Sequence, residues 1–139
     1  MNRHKSRENA FIAVFEAGFS SNDLDDILAV TQELPEYEEY MLDDFALELI
    51  KNYYDHADEV NDMIQSKLKN WKANRISRVS SAILRLGTAE MMYSKEDMDS
   101  VVINEAVELS KKFAGENDYQ FINGVLGAVS KELRGNSQS

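Results

Sequence analysis

Three phrases carry the strongest helical signal in this sequence: Ala82-Ile83-Leu84-Arg85-Leu86, Val102-Ile103-Asn104-Glu105-Ala106-Val107-Glu108-Leu109 and Phe121-Ile122-Asn123-Gly124-Val125-Leu126. Within each phrase apolar residues recur three and four positions apart, as Ile83 and Leu86 do, and this spacing places them on one side of a helix. Aliphatic residues with such periodicity are mostly core residues. The phrases therefore predict three helices that share one hydrophobic core.

Helical periodicity also dominates the rest of the chain. One proline, six glycines and few strand-like alternations predict an all-α fold of about seven helices. Capping residues and breaks place these helices at about 3–18, 22–34, 37–54, 58–71, 76–93, 101–113 and 118–133. We expect a single domain with an N-terminal half over 1–71, a C-terminal half over 76–133 and a disordered tail over 134–139.

Length and composition narrow the class of protein. A chain of 139 residues is long enough to bury about two-thirds of its unfolded surface. There is no cysteine, so neither a disulfide framework nor a thiolate metal site is possible. The apolar run from Phe11 to Phe15 is too short for a signal-peptide core or a membrane span. These features predict a soluble, cytoplasmic protein.

Charge is strongly segregated along the chain. The formal net charge is −10, which by itself argues against nucleic-acid binding. However, residues 1–7 and 67–85 contain bases and no acid, whereas 16 acids and one base lie between Glu8 and Ser66. Such segregation creates a local positive potential that matters more than the net charge, although basic runs also occur simply as solvated segments.

Patterns typical of catalysis and of cofactor or metal binding are weak. Neither standard glycine-rich phosphate loop is present. The two histidines are isolated, and the acidic segment around His56 lacks the alternating Asp and glycine of a calcium loop. We therefore predict that the protein is not an enzyme and has neither a cofactor nor a metal site. Spacing in the sequence does not exclude a catalytic triad whose residues are far apart along the chain.

Aromatic and basic residues favour single-stranded nucleic acid, which is held by cations along the phosphates and by rings that stack on bases. Tyr119 and Phe121 stand at the start of the last predicted helix, next to a turn whose Asn117 amide can reach a base edge. Core packing is the alternative for both rings. It is favoured for Phe121 and balanced for Tyr119, because a phenol tolerates solvent.

The three phrases, together with Arg7-Glu8-Asn9-Ala10, Glu90 and Ser110-Lys111-Lys112-Phe113, resemble the signature of the NusB family of transcription antitermination factors. The resemblance covers nearly the whole chain and keeps the order and spacing of several phrases. It implies two packed three-helix bundles without enzymatic activity. It also implies that the protein binds the boxA element of nascent RNA together with NusE, a small-subunit ribosomal protein, and joins RNA polymerase, chiefly on ribosomal RNA operons.

The resemblance also implies where the partners bind. RNA contacts are expected from the basic start of the first helix and from the start of the last helix, which here are Arg3, Lys5, Arg7, Asn117, Tyr119 and Phe121. We expect Arg7 and Tyr119 to be exposed, so that replacing either with alanine lowers RNA affinity without unfolding the protein. NusE is expected to dock mainly on the C-terminal bundle, with Arg85 and Glu90 as candidates.

Charge alone adds Arg75 and Arg78 to the predicted RNA-binding residues, because they lie in the basic run. The alternative function is a scaffold of the same fold that binds NusE or forms a homodimer and has little RNA binding. The two differ in whether a boxA RNA is preferred over a scrambled one.

Overall fold

A computed structural model describes residues 2–18, 21–33, 41–68, 76–94, 97–115 and 118–135. These ranges contain α1 (Arg3–Ala17), α2 (Ser21–Glu33), α3 (Asp44–Asp55), α4 (Ala57–Ser66), α5 (Arg78–Ala89), a π-helical turn (Glu90–Ser94), α6 (Asp99–Phe113) and α7 (Asp118–Arg134). No residue in the described ranges belongs to a strand. The predicted all-α fold is confirmed.

Two helices are shorter than predicted. Residues 41–43 are not helical, and α3 begins at Asp44 because the Asp43 side chain caps it by accepting from the Ala46 N–H at 2.9 Å. The Asp43 carboxylate also accepts from the Ser6 hydroxyl of α1 at 2.6 Å, so the cap joins two helices. At its other end, α4 stops at Ser66, before the predicted end at residue 71. Residues 34–40 and 69–75 lie outside the described ranges.

The helix predicted over 76–93 changes its winding near its end. The Ser77 side chain accepts from the Ser80 N–H at 3.0 Å and caps α5, which runs as an α-helix only to Ala89. The π-helical turn then continues to Ser94. Such turns are rare and often lie at functional sites. Here the turn holds the Glu90 side chain against α1.

The core is centred on α5, which packs against α1, α3, α4, α6 and α7. Residues from all three phrases, including Ile83, Leu109 and Ile122, lie in one buried cluster, as predicted. Gly87 allows α5 and α7 to approach closely, since a Cβ there would lie 3.2 Å from Cδ1 of Leu126. This packing fixes the position of α7 relative to α5.

Helix α1 packs against α2 and α3 and also against α5 and α6. It therefore touches helices from both predicted halves of the chain. The link predicted at 72–75 and the tail beyond residue 135 lie outside the described ranges, so the division into halves and the disordered tail stay predictions.

Candidate nucleic-acid interface

Arg7 lies in the interior of the protein. It is 6% exposed, and its Nε donates to Glu90 Oε1 at 3.0 Å while Nη2 donates to Glu90 Oε2 at 2.7 Å. Nη2 also donates to Asp97 Oδ2 at 2.6 Å. A bidentate pair of this kind is among the stronger hydrogen-bonded contacts in proteins. The prediction that Arg7 is exposed is wrong, because its guanidinium pairs with acids that lie far away in sequence.

Arg3 extends this network toward the surface. Its Nη1 donates to Asp97 Oδ2 at 2.9 Å, and its guanidinium lies 4.3 Å from the centre of the Phe45 ring. Burial alone would raise the pKa of Asp97, but the hydrogen bonds from Arg3 and Arg7 lower it below its usual value. Arg3 is exposed, so a phosphate can reach it at the edge of the network.

The two residues predicted to dock a protein partner are both engaged inside the fold. Glu90 is 3% exposed, and burial raises the pKa of its carboxyl group despite the opposing effect of Arg7. The Glu90 side chain is therefore not accessible to a docked protein in this structure. Arg85 is half-buried and donates from Nη1 to the Tyr53 hydroxyl at 2.9 Å. Its part in docking stays a prediction.

A second ion cluster joins α1 to the end of α6. The Glu8 carboxylate is buried, accepts from Lys5 Nζ at 3.2 Å and also accepts from Lys112 Nζ. Burial would raise the pKa of Glu8, but the two lysines lower it. One carboxylate thus holds two cations together, and the Lys112 side chain remains largely exposed.

Aromatic rings continue from this cluster across α1. The Phe113 ring lies 5.4 Å from Lys112 Nζ and 5.0 Å from the centre of the Phe11 ring. Phe11 stacks on Phe15 at 5.9 Å, and the Arg78 guanidinium lies 5.4 Å from the Phe15 ring. We call these five side chains, from Lys112 to Arg78, the cation–aromatic row. Phe11 is buried in the middle of the row, but Phe113 is exposed, Phe15 is partly exposed, and each has a cation beside it, which matches the needs of a single-stranded nucleic acid.

The start of α7 lies at the same end of the molecule. The Ser80 hydroxyl, near the start of α5, donates to Asp118 Oδ2 at 3.0 Å and joins the two helix starts. Asp118 is the first residue of α7. Next to it, Tyr119 is partly exposed, with Lys111 Nζ 5.0 Å from its ring centre. This arrangement gives a second pairing of a cation with an aromatic ring beside the row.

Phe121 is partly buried and packs against the hydrophobic core, which is the alternative that sequence analysis favoured for this ring. Two further predicted contacts, Arg75 and Asn117, lie outside the described residues. Of the other predicted contacts, Arg78 is part of the cation–aromatic row, and Lys5 and Tyr119 lie beside it. Their contact with RNA stays a prediction.

The contacts predicted from the sequence did not include three neighbouring residues of this surface: Lys111, Lys112 and Phe113. Their signal was visible as two bases and an aromatic ring at a helix end. Basic residues in the last turn of a helix are common because they interact favourably with the negative end of the helix dipole, so the pattern did not separate this site from ordinary helix ends. What distinguishes this helix end is its contact with α1, through Lys112 to Glu8 and Phe113 to Phe11.

The described residues give no indication of a metal centre, since they contain no group of three or more His, Cys, Asp or Glu side chains that could hold an ion. No helix within the described ranges is long and apolar enough to span a membrane.

Comparison with known proteins gives consistent matches. The model of the NusB family matches residues 4–131. The chain is 36% identical over 142 residues to the transcription antitermination protein NusB of Clostridium botulinum (strain Kyoto / Type A2), a match that covers 93% of this chain and 99% of that protein.

Solved structures agree with the sequence matches. T. maritima NusB superposes with a TM-score of 0.75 at 30% identity, covering 95% of this chain and 92% of that one. A crystal structure of the antitermination factors NusB and NusE in complex with dsRNA contains a chain that superposes with a TM-score of 0.73 at 25% identity, with coverages of 94% and 96%.

Proposed function

The chain belongs to the NusB family, and from this premise we propose that it is a transcription antitermination adaptor. In this role it binds boxA-type single-stranded RNA together with a NusE protein and joins RNA polymerase, notably on ribosomal RNA operons. It acts by bringing partners together, without a catalytic step and without a cofactor. A cytoplasmic location goes with this function, since nascent bacterial RNA is made there.

The observation that carries the proposal is the cation–aromatic row. The chain has a net charge of −10, but positive side chains lie beside this row, namely Lys5, Lys112 and Arg78. Phosphates are attracted to these cations, while Phe113, Phe15 and the neighbouring Tyr119 supply rings for bases. The acidic remainder of the protein repels RNA and so restricts binding to this surface.

A similar protein crystallised with NusE and dsRNA supports NusE and RNA as partners, while the preference for a single strand rests on the exposed rings. We place NusE on the C-terminal half, near Arg85 and the π-helical turn that holds Glu90. The Arg7–Glu90 pair would then lie between the two partners, because α1 carries Lys5 on its RNA-facing side and Arg7 on its inner side.

A titration of labelled RNA tests the proposal. A boxA RNA, a scrambled RNA of equal composition and a boxA duplex are each titrated with the protein at two salt concentrations, with and without NusE. We expect preference for single-stranded boxA, tighter binding with NusE and weaker binding at higher salt. The variant Tyr119→Ala should weaken boxA binding by about 5-fold or more, the lower end of the range for loss of one stacked base.

Equal weak binding to all three RNAs, with or without NusE, would refute the adaptor. Sedimentation of the protein alone and with NusE would then decide between a homodimer and a NusE-binding scaffold, the alternative function for this fold.

A further inference from the structure

We propose that Phe113 is a base-stacking platform of the RNA site, with Lys112 placed beside it to bind the phosphate of the stacked nucleotide. This inference rests on the proposed RNA-binding function and extends it to two residues that neither charge runs nor family resemblance had assigned.

The exposure of Phe113 is the first observation. Its 37% exposure makes it the only aromatic residue among the exposed large hydrophobic residues in the described part of the chain, where the others are Met41, Met98 and Val101. Leaving an aromatic ring in water forgoes the free energy that burial would provide. A single exposed ring is common at protein surfaces, so this exposure makes Phe113 available for contact, and its neighbours identify the occupant.

The support beneath the ring is the second observation. Phe11 is 2% exposed, and its ring centre lies 5.0 Å from that of Phe113 with the planes tilted by 39°. Phe11 is held in the core, so Phe113 rests on a rigid neighbour. A platform that is already oriented loses little conformational entropy when a base stacks on it.

The placement of cations identifies the occupant. Lys112 Nζ lies 5.4 Å from the Phe113 ring centre and is bonded to the buried Glu8 carboxylate, which also holds Lys5. Lys111, the preceding residue of α6, lies over the Tyr119 ring. An apolar protein side chain would make no use of the Lys112 ammonium group beside the ring, whereas a nucleotide offers both a π-face and a phosphate. The geometry therefore favours a nucleobase of single-stranded RNA.

The test compares two substitutions at Phe113 with one elsewhere on α6. Phe113→Leu keeps an apolar contact with Phe11 but removes the aromatic face, and we expect it to weaken boxA RNA binding by about 5- to 100-fold at fixed salt. Phe113→Tyr restores a ring and should recover most of the affinity. Val101→Ala removes exposed apolar surface near the other end of the helix and is the matched control, for which we expect unchanged affinity.

An RNA with single abasic positions identifies the stacked base. One position should weaken binding to the wild-type protein, and the same abasic position should cause little further loss in Phe113→Leu, because the partner ring is already absent. Far-UV circular dichroism and thermal unfolding of each variant show that the protein measured is folded.

The outcomes separate this inference from the function on which it rests. If wild-type protein prefers boxA and Phe113→Leu binds it equally well, Phe113 is not a platform and the adaptor function stands. If wild-type protein shows no RNA preference, both proposals fail. If Phe113→Leu leaves RNA binding intact but weakens NusE binding, the exposed ring serves a protein partner and the inference is overturned.

Discussion

Replacing Arg7 with alanine should destabilise the protein strongly. The Arg7 guanidinium makes three hydrogen bonds to two carboxylates, and the side chains of Arg7 and Glu90 are only 6% and 4% exposed. The alanine variant removes the cation and leaves the Glu90 carboxyl group buried without its partner. The substitution therefore acts on stability, whereas an exposed Arg7, as predicted from the sequence, would affect RNA affinity alone.

The magnitude follows from the burial of the pair. Removing one partner of a buried ion pair costs about 3–5 kcal/mol, because the remaining charge has lost its compensation. Burial already raises the pKa of Glu90, so in the variant this group can take up a proton and escape part of the penalty. We therefore expect a loss near the lower end, about 3 kcal/mol, which is a large share of the roughly 5–15 kcal/mol that holds a domain folded.

Urea denaturation at pH 7, followed by far-UV circular dichroism, measures this loss as a change in the extrapolated free energy of unfolding. Arg3→Ala is the matched control, because Arg3 also bonds Asp97 but its side chain is 48% exposed. An exposed pair of this kind contributes about 1 kcal/mol or less. As a second test, the double variant Arg7→Met with Glu90→Leu replaces the pair with apolar groups and should recover much of the stability.

The reasoning would be refuted if Arg7→Ala lost no more stability than Arg3→Ala. Such a result would mean that Arg7 is solvated in the native protein and free to meet RNA. A double variant less stable than Arg7→Ala would also contradict it, because the cost would then come from packing around the pair rather than from the uncompensated charge.

Three further predictions concern glycine, salt and pH. Gly18 has a φ of 64°, so Gly18→Ala should cost about 1–2 kcal/mol in unfolding free energy, whereas Gly127→Ala on α7, where an added Cβ meets nothing within 4 Å, should gain about 0.5–1 kcal/mol; urea melts that showed equal effects would contradict this. A plot of log affinity for boxA RNA against log salt has a negative slope, and Lys112→Ala should reduce its magnitude by about 0.7, the value for one phosphate contact on a single strand. An unchanged slope would show that Lys112 does not contact the RNA. Burial would raise the pKa of Asp99, but its hydrogen bonds, chiefly from Arg134, lower it, so this carboxylate stabilises the fold above the unfolded pKa of about 3.9 and loses that contribution as the pH falls through the lower native value. Asp99→Asn should therefore flatten the decline of the thermal midpoint in that acidic range, and a curve parallel to that of the wild type would refute the assignment.

Helices and core could be predicted because their signals are local. Ile83, Ile122 and Leu126 stand at helical spacing within short phrases, and all three are buried in the core. Helix ends were less predictable where a single contact decides them, as when the Asp43 carboxylate starts α3 seven residues after the predicted position.

The sequence by itself therefore determined the all-α fold and the positions of the helices that share the core, since both depend on patterns within about twenty residues. It also determined the family, through the order and spacing of several phrases along the chain. The tertiary structure alone decided which charges are available to a partner. Arg7 and Lys112 are both basic residues on helices, yet Arg7 pairs with Glu90, 83 residues away, and is buried, while Lys112 bonds Glu8, 104 residues away, and stays exposed beside Phe113. Such partners meet only when helices pack, and the depth of burial in that packing determines whether a paired cation can still be reached from the solvent.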